Sequence, residues 1–397
     1  VHDRGVVYVA AFARAVTTGF AGVALGLYVA RAGFSAATLG AVVSAGLGGV
    51  AAAAAAATFL ADRLGRRRFL VATTVIGALG TAAFVIAASP TTLALAAFVA
   101  MLNGMGRDRG AALILEQAAL PALTTDAGRT RAFAWYTMLQ DIGHGIGALL
   151  AGVPAALQPA AAGAGGYRAA FLACAAITLA TGLLYLRLRA AVEPAAGGRT
   201  ARLSGRSRAI LVKISALFGV DSLAGGFLAT SLLTYFFFER FGASELSIGL
   251  LFFGARVLNA ASHLGAAWLA ARFGLVNTMV FTHLPSSLLL VTVAFAPDFT
   301  TAAVLFLLRE GLVEMDVPTR QSYVLAVVRP DERTFASGVT NLVRLVAWAV
   351  APAFAGSLMQ SASLHLPLVL GAGMKIAYDL MLWRAFRGVR PPEEEPA

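Results

Sequence analysis

The side chains in this sequence with chemistry to offer are the few ionisable ones inside long apolar runs. Asp141 and His144 lie three residues apart in such a run, a spacing that puts both on one helical face. Burial favours a neutral carboxyl and a neighbouring imidazolium favours the carboxylate, so the pair can take up and release a proton as water access changes. The alternative is that His144 only makes a hydrogen bond within a helix seam. Two further runs carry Arg107, Asp108, Arg109 and Glu116, and Arg309, Glu310, Glu314, Asp316 and Arg320. Asp108 and Glu310 each follow an arginine; Glu310 and Glu314 are one turn apart, and Asp316 and Arg320 are spaced to pair. Charges at bilayer depth are costly and face a cavity or one another. Asp108, Glu310 and Glu314 therefore join Asp141 and His144 as proton-coupling candidates, with paired ions that fix helix register as the competing reading.

The other polar insertions are Arg14, Asp221, Arg256, Asn259, His263, Asn341, Arg344 and the pair Lys375 and Asp379, which reads as a structural i,i+4 ion pair. The histidines His2, His144, His263, His283 and His365 are scattered without metal-ligand spacing, so no metal site is expected. Cys174 is alone, which excludes an intramolecular disulfide. No phosphate-binding glycine loop is present, so an ion gradient, not ATP, would supply the energy, and no cofactor is implied. A nucleophile–base constellation is lacking too, which argues against an enzyme.

These residues need elements to hold them, and the composition names the solvent. Hydrophobic residues make up 59% of the 397 and charged ones 13%, against about a quarter charged in a soluble domain. Apolar runs of about 20 residues recur from end to end, each able to cross the bilayer core as a helix. We expect spans at 6–30, 37–61, 69–88, 92–119, 132–157 and 167–189, then 209–237, 244–270, 275–297, 300–327, 335–361 and 365–387. The first run is longer than a signal-peptide core and is expected to be retained. Small residues such as Ala51 to Ala57 suit close helix packing in lipid.

The halves repeat. Arg31 to Gly40 (RAGFSAATLG) matches Arg240 to Gly249 (RFGASELSIG) at an offset of 209 residues, and Asp62 to Gly65 matches Ala271 to Gly274 at the same offset. Two similar apolar halves suggest a transporter whose site lies at their interface. The domains are therefore expected at 1–189 and 209–388, joined by a Gly-, Pro-, Ser- and Arg-rich linker at 190–208, with a disordered tail at 389–397. The net charge of +11 is gathered in loops: Arg63, Arg66, Arg67 and Arg68; Arg129 and Arg131; Arg199, Arg202, Arg206 and Arg208; Arg384, Arg387 and Arg390. That distribution reads as the positive-inside rule, with both termini cytoplasmic, and argues against nucleic acid as a partner.

Leu60 to Arg68, LADRLGRRR, resembles the cytoplasmic motif between helices two and three of the major facilitator superfamily: Asp62, Arg63, Gly65, Arg66 and Arg67 match, and Thr58 stands where the leading Gly is usual. The resemblance implies an all-α integral membrane fold of twelve transmembrane helices in two pseudo-symmetric six-helix bundles. It also implies a conformational latch at Asp62, Arg63, Gly65 and Arg66. An anion at a helix C-terminus opposes the macrodipole, so Asp62 needs a cationic or helix N-terminal partner. The second copy has Ala271 in place of the acid; a purely topogenic basic loop is the rival reading.

Gly143-x-x-x-Gly147-Ala148-x-x-Ala151-Gly152 looks like the superfamily's antiporter motif, with Ala148 in place of its proline; Pro352 appears in the repeat-equivalent span eleven. Span four, LNGMGRDRGAA, loosely resembles the superfamily's Arg-containing motif, and PDERTFASG the cytoplasmic start of span eleven. In the family, spans one, four, five, seven, eight, ten and eleven line the cavity. That makes Arg14, Arg107, Arg109, Asp221, Arg256, Asn259, Arg309, Asn341 and Arg344 substrate-cavity candidates, with Trp135, Tyr136, Phe236 and Trp348 as apolar walls. The expectation is a secondary transporter of the drug:proton antiporter type. It would be a monomer in the inner membrane, exporting a small organic solute against protons by alternating access. Guanidinium forks suit carboxylate or phosphate, so uptake or exchange of a small anion is the alternative; a non-transporting sensor or membrane-embedded enzyme ranks below both.

Overall fold

The computed structural model describes residues 2–125, 128–157, 164–189, 205–315 and 333–386. Among these, every regular element is helical. In chain order they are α1 (His2–Arg31), α2 (Ala36–Leu64), α3 (Arg66–Ile86), α4 (Pro90–Ala100), α5 (Ala111–Ala119), α6 (Arg129–Leu150), the short α7 (Val153–Leu157) and α8 (Gly165–Tyr185). Then follow α9 (Gly205–Phe227), α10 (Thr230–Phe241), α11 (Glu245–Phe273), α12 (Leu275–Ala294), α13 (Phe299–Val313), α14 (Arg333–Ser361) and α15 (Leu366–Phe386). Nine stretches among the described residues are long and apolar enough to cross a membrane, with shorter apolar helices at Pro90–Ala100 and Ala111–Leu123. Most of the 190–208 linker, the tail, and Asp316 and Arg320 lie outside the described residues.

Two of the expected spans are not single helices. The fourth, expected at 92–119, is α4 and α5 separated by the non-helical Met101–Gly110; the seventh, expected at 209–237, stops at Phe227 and restarts at Thr230. Helix starts elsewhere follow local chemistry. Ser35 caps α2 by accepting from the Thr38 N–H at 3.2 Å, and Asp298 caps α13 by accepting from the Thr301 N–H at 2.9 Å. Ser89 and Thr92 form a reciprocal capping box with Pro90 in the first turn of α4. Gly65, at φ 91°, makes the corner between α2 and α3 that a Cβ would oppose.

The chain divides into two compact units: Val1–Gly197 with Ala229–Phe253 and Pro352–Ser361, and Gly198–Leu228 with Gly254–Ala351 and Ala362–Ala397. In the first unit α1 packs on α6, α8 and α10, and α2 packs on α4. The α1–α6 seam is built on small residues: a Cβ on Gly143 would lie 2.8 Å from the Ala15 Cβ, and one on Gly147 would lie 2.6 Å from the Phe20 nitrogen. Close backbone approach supplies the dispersion contact that lipid cannot drive by hydrophobicity. Phe20, Tyr28, Phe84 and Phe171 form an aromatic knot with ring centroids 5.3–5.8 Å apart. In the second unit α12 packs on α13 and α15, and α15 on α9, around Ile214, Phe218, Met279, Tyr378 and Leu382.

Candidate functional site: a broken fourth span and its buried charges

Local chemistry breaks span four. Met101 ends α4 in the left-handed conformation at φ 54°. Asn103 Oδ1 then accepts from the Met105 N–H at 2.9 Å, and its Nδ2 donates to the Arg107 carbonyl. Gly106 sits at φ 65°, and Asp108 Oδ1 accepts from the Gly110 N–H at 3.0 Å before α5 begins. Asn and Asp side chains here offer the backbone partners that compete with the helix ladder. Non-helical backbone at membrane depth persists only where protein satisfies it, and the first turn of α10 does so. The Gly104 carbonyl accepts from both the N–H and the hydroxyl of Ser231, at 3.0 and 2.9 Å. The Met105 carbonyl accepts from the Thr230 hydroxyl at 2.8 Å.

The break delivers Asp108 to Arg14 of α1. Arg14 Nε donates to Asp108 Oδ2. Its Nη1 donates to Glu116 Oε1 at 2.9 Å and to the Tyr185 hydroxyl at 2.8 Å; its Nη2 donates to Glu116 Oε2 at 2.6 Å and, more loosely, to the Tyr136 hydroxyl at 3.4 Å. All five guanidinium donors are thereby used. Glu116, 1% exposed, also accepts from the Tyr136 hydroxyl at 2.7 Å and the Tyr185 hydroxyl at 2.5 Å. Four donors thus converge on this one carboxylate. Asp108 differs. It lines a cavity of about 140 Å³ with Arg14, Asn103, Thr17, Thr74 and Thr81, and its backbone N–H donates to His144 Nε2 at 3.1 Å. That imidazole nitrogen is an acceptor here, so its ring proton belongs on Nδ1. The three threonine hydroxyls donate to carbonyls of their own helix, leaving oxygen lone pairs towards a guest.

Of the sequence candidates, Asp108, His144 and Arg14 therefore come together, with Arg107 and Arg109 in the same non-helical segment. Asp141 lies partly exposed on α6, and His144 Nε2 accepts from the Asp108 backbone N–H. Glu310 pairs with Arg309 and accepts from Asn259 Nδ2 at 2.9 Å; Arg309 Nε and Asn259 Oδ1 are buried without a hydrogen-bond partner. Glu314 caps the end of α13, and Arg256 and Asn341 are partly buried on α11 and α14. Arg344 Nε donates to Ser222 Oγ at 3.0 Å, with the guanidinium 5.0 Å over the Trp348 ring. At the latch, Asp62 accepts from Arg66 at 2.8 Å, Arg63 is exposed, and Arg67 donates to the Leu188 carbonyl at 3.2 Å.

One ion pair is corrected. Lys375 and Asp379 do not bond each other: Lys375 Nζ donates to Asp221 Oδ1 at 3.0 Å, and Asp379 Oδ1 is bonded to His283 Nδ1 at 2.9 Å. Partners on neighbouring helices win over the i,i+4 neighbour because both side chains point into the bundle. His283, Tyr136 and Tyr185 were not singled out as partners of buried charge. Tyr136 read as an apolar wall is in fact a donor to Glu116, whereas Trp135, 46% exposed, faces outward.

The fold has parallels among known proteins. An uncharacterized membrane protein of Saccharomyces cerevisiae, YJR124C, is 24% identical over 98% of this chain and 94% of its own length. The crystal structure of the nucleoside transporter NupG aligns with a TM-score of 0.76 at 14% identity, over 98% of this chain and 100% of that one. The xylose transporter XylE from E. coli aligns at 0.72 and 14% identity, over 100% of both chains. The sequence pattern of the Major Facilitator Superfamily matches residues 7–308 and 214–397. A match that long, on described residues that are all-helical with nine stretches able to cross a membrane, leaves one assignment: the chain belongs to the Major Facilitator Superfamily and is a multi-pass membrane transporter.

Proposed function

We propose that this protein is a proton-coupled secondary transporter that exports a small polar organic solute by alternating access. It would act as a monomer in the inner membrane with both termini cytoplasmic. The observation that carries the reading is Asp108: a carboxylate on a break in a transmembrane helix, lining a mostly apolar cavity with a few polar groups and tied through its backbone to an imidazole. Broken helices are where transporters of other folds place substrate and ion sites. A carboxylate there exchanges its proton as the cavity meets water on one side or the other, and Arg14 competes with that proton for the same oxygen. His144 adds a second point of exchange, because a proton on its Nε2 removes the bond that holds the Asp108 backbone.

The substrate class follows from what is already occupied. Arg14 has no donor left for an anion, and the cavity presents hydroxyl and amide oxygens, which suit the N–H and O–H groups of an uncharged solute. NupG and XylE carry a nucleoside and xylose by name, both of that chemistry. The second reading, a small anion taken up or exchanged, rests on Arg309, whose buried Nε has no partner. Export in place of uptake draws on the Gly143-to-Gly152 motif, whose Gly143 and Gly147 lie in the α1–α6 seam.

The test is flux into proteoliposomes across an imposed pH gradient, using labelled uridine, xylose, a dicarboxylate and a quaternary amine. The expected result is pH-driven flux of a neutral solute, uncoupled from the gradient in D108N and H144Q. Flux indifferent to the gradient removes the proton. Flux of the dicarboxylate alone, lost in R309Q, replaces this substrate class with the second reading.

A further inference from the structure

The second unit holds a chain of four buried groups that the fourth-span site does not use. Asp221 on α9, Lys375 on α15, His283 on α12 and Asp379 on α15 are 4%, 7%, 2% and 0% exposed. Lys375 Nζ donates to Asp221 Oδ1 at 3.0 Å and lies 3.2 Å from His283 Nε2; His283 Nδ1 lies 2.9 Å from Asp379 Oδ1. An ammonium only donates, so Nε2 is the acceptor and the ring is neutral with its proton on Nδ1, directed at Asp379. Every link of the chain then has one possible direction.

The two ends differ in charge balance. Asp221 faces Lys375, and Arg344 of α14 donates to Ser222, the next residue along α9, at 3.0 Å. Asp379 faces the neutral imidazole, and its Oδ2 is fully buried with no hydrogen-bond partner. Among the described residues, α15 also brings the Tyr378 ring to 6.3 Å from His283, and Lys213 of α9 lies over Phe386 further along. An unpartnered carboxylate oxygen buried in a helix bundle is costly, and a proton on it lowers that cost without disturbing the bond to His283.

We propose that Asp379, with His283 and Lys375, is a second proton-binding site, taking one proton on Asp379 Oδ2. One proton enters from solvent, one O–H bond forms, and the carboxylate becomes a carboxylic acid; Oδ1 continues to accept from His283. The charge change reaches Asp221 through Lys375, which no longer divides its field between two anions. This site shares no residue with the Asp108 centre.

Infrared pH-difference spectroscopy of the purified protein in liposomes tests this without any substrate, so its outcome is independent of the flux experiment. The wild type is expected to show a carboxylic C=O band that D108N keeps and D379N loses. In H283L the same band moves its titration midpoint by about one pH unit or more, a tenfold or greater change in proton affinity. H283L is also the reserve variant should D379N not remain monodisperse on size exclusion. A spectrum without such a band, a band that survives in D379N, or a midpoint unmoved in H283L each overturns the proposal.

Discussion

Arg14 and Glu116 meet side-on: Nη1 lies 2.9 Å from Oε1 and Nη2 lies 2.6 Å from Oε2, with the carboxylate 1% exposed and a tyrosine hydroxyl on each oxygen. The bidentate fork joins α1 to α5, the helix after the break. Removing one partner strands the other charge, which costs about 3–5 kcal/mol in a buried pair. E116Q should therefore lower thermal stability in detergent by about that much. Y185F, which removes one donor and leaves the ion pair, should cost about 1–3 kcal/mol. Equal melting of wild type and E116Q would show that the fork carries no weight.

Thr230 and Ser231 hold the carbonyls that the break in span four sets free. The Ser231 N–H bond to Gly104 survives a side-chain change, so S231A and T230V remove only hydroxyl contacts. Each should cost about 0.5–1.5 kcal/mol, and losing a contact that is broken and remade in a transport cycle should also lower the transport rate. Thermal melts and vesicle flux measured on the double variant separate the two effects. A double variant with a full transport rate would make the contact incidental.

How far the sequence announced all this depends on the residue. Apolar length and the half-chain offset marked the spans, and the motif at Asp62 to Arg67 named the family, because both signals are local or periodic. The break in span four was written in Asn103-Gly104-Met105-Gly106 and Asp108-Arg109-Gly110, a run of turn formers. It was read through because the flanking apolar stretch was long enough to cross alone. Arg14 gave no hint that Asp108, Glu116, Tyr136 and Tyr185, 94 to 171 residues away, would consume its donors. The i,i+4 spacing of Lys375 and Asp379 suggested a bond that helices α9 and α12 outcompete. Spacing describes one helix, and these partners lie on others.

Asp298 carries a pH dependence of known sign outside the membrane. The Thr301 backbone N–H and hydroxyl, both bonded to its carboxyl at 2.9 Å, hold it below the usual carboxylate range. A depressed value means that the contribution to stability is present above the unfolded carboxylate value, about 3.9, and is lost as pH falls through the lower folded value. Melting temperature measured from pH 6 down to 2 should show a small acid-side loss from this cap. D298N keeps a cap without the charge and should flatten that component, whereas D298A should lower the melt slightly at neutral pH. An unchanged acid limb in D298N would remove Asp298 from the titration.

The α1–α6 seam predicts which glycines tolerate a methyl group. A Cβ on Gly147 would lie 2.6 Å from the backbone nitrogen of Phe20, and one on Gly143 would lie 2.9 Å from the Phe12 carbonyl and 2.8 Å from the Ala15 Cβ. Backbone cannot rotate out of the way as a side-chain end can, so α1 and α6 must separate. That forfeits dispersion along the whole contact and shifts His144, which rides on the same helix and bonds Asp108. G147A should therefore lower both folded yield and any pH-driven flux. G5A, where nothing lies within 4 Å of the added carbon, should be neutral, or slightly stabilising since alanine is the better helix former. Fluorescence-detected size exclusion of the two variants side by side makes the comparison, and a G147A profile matching G5A would mean that the seam is looser than its distances state.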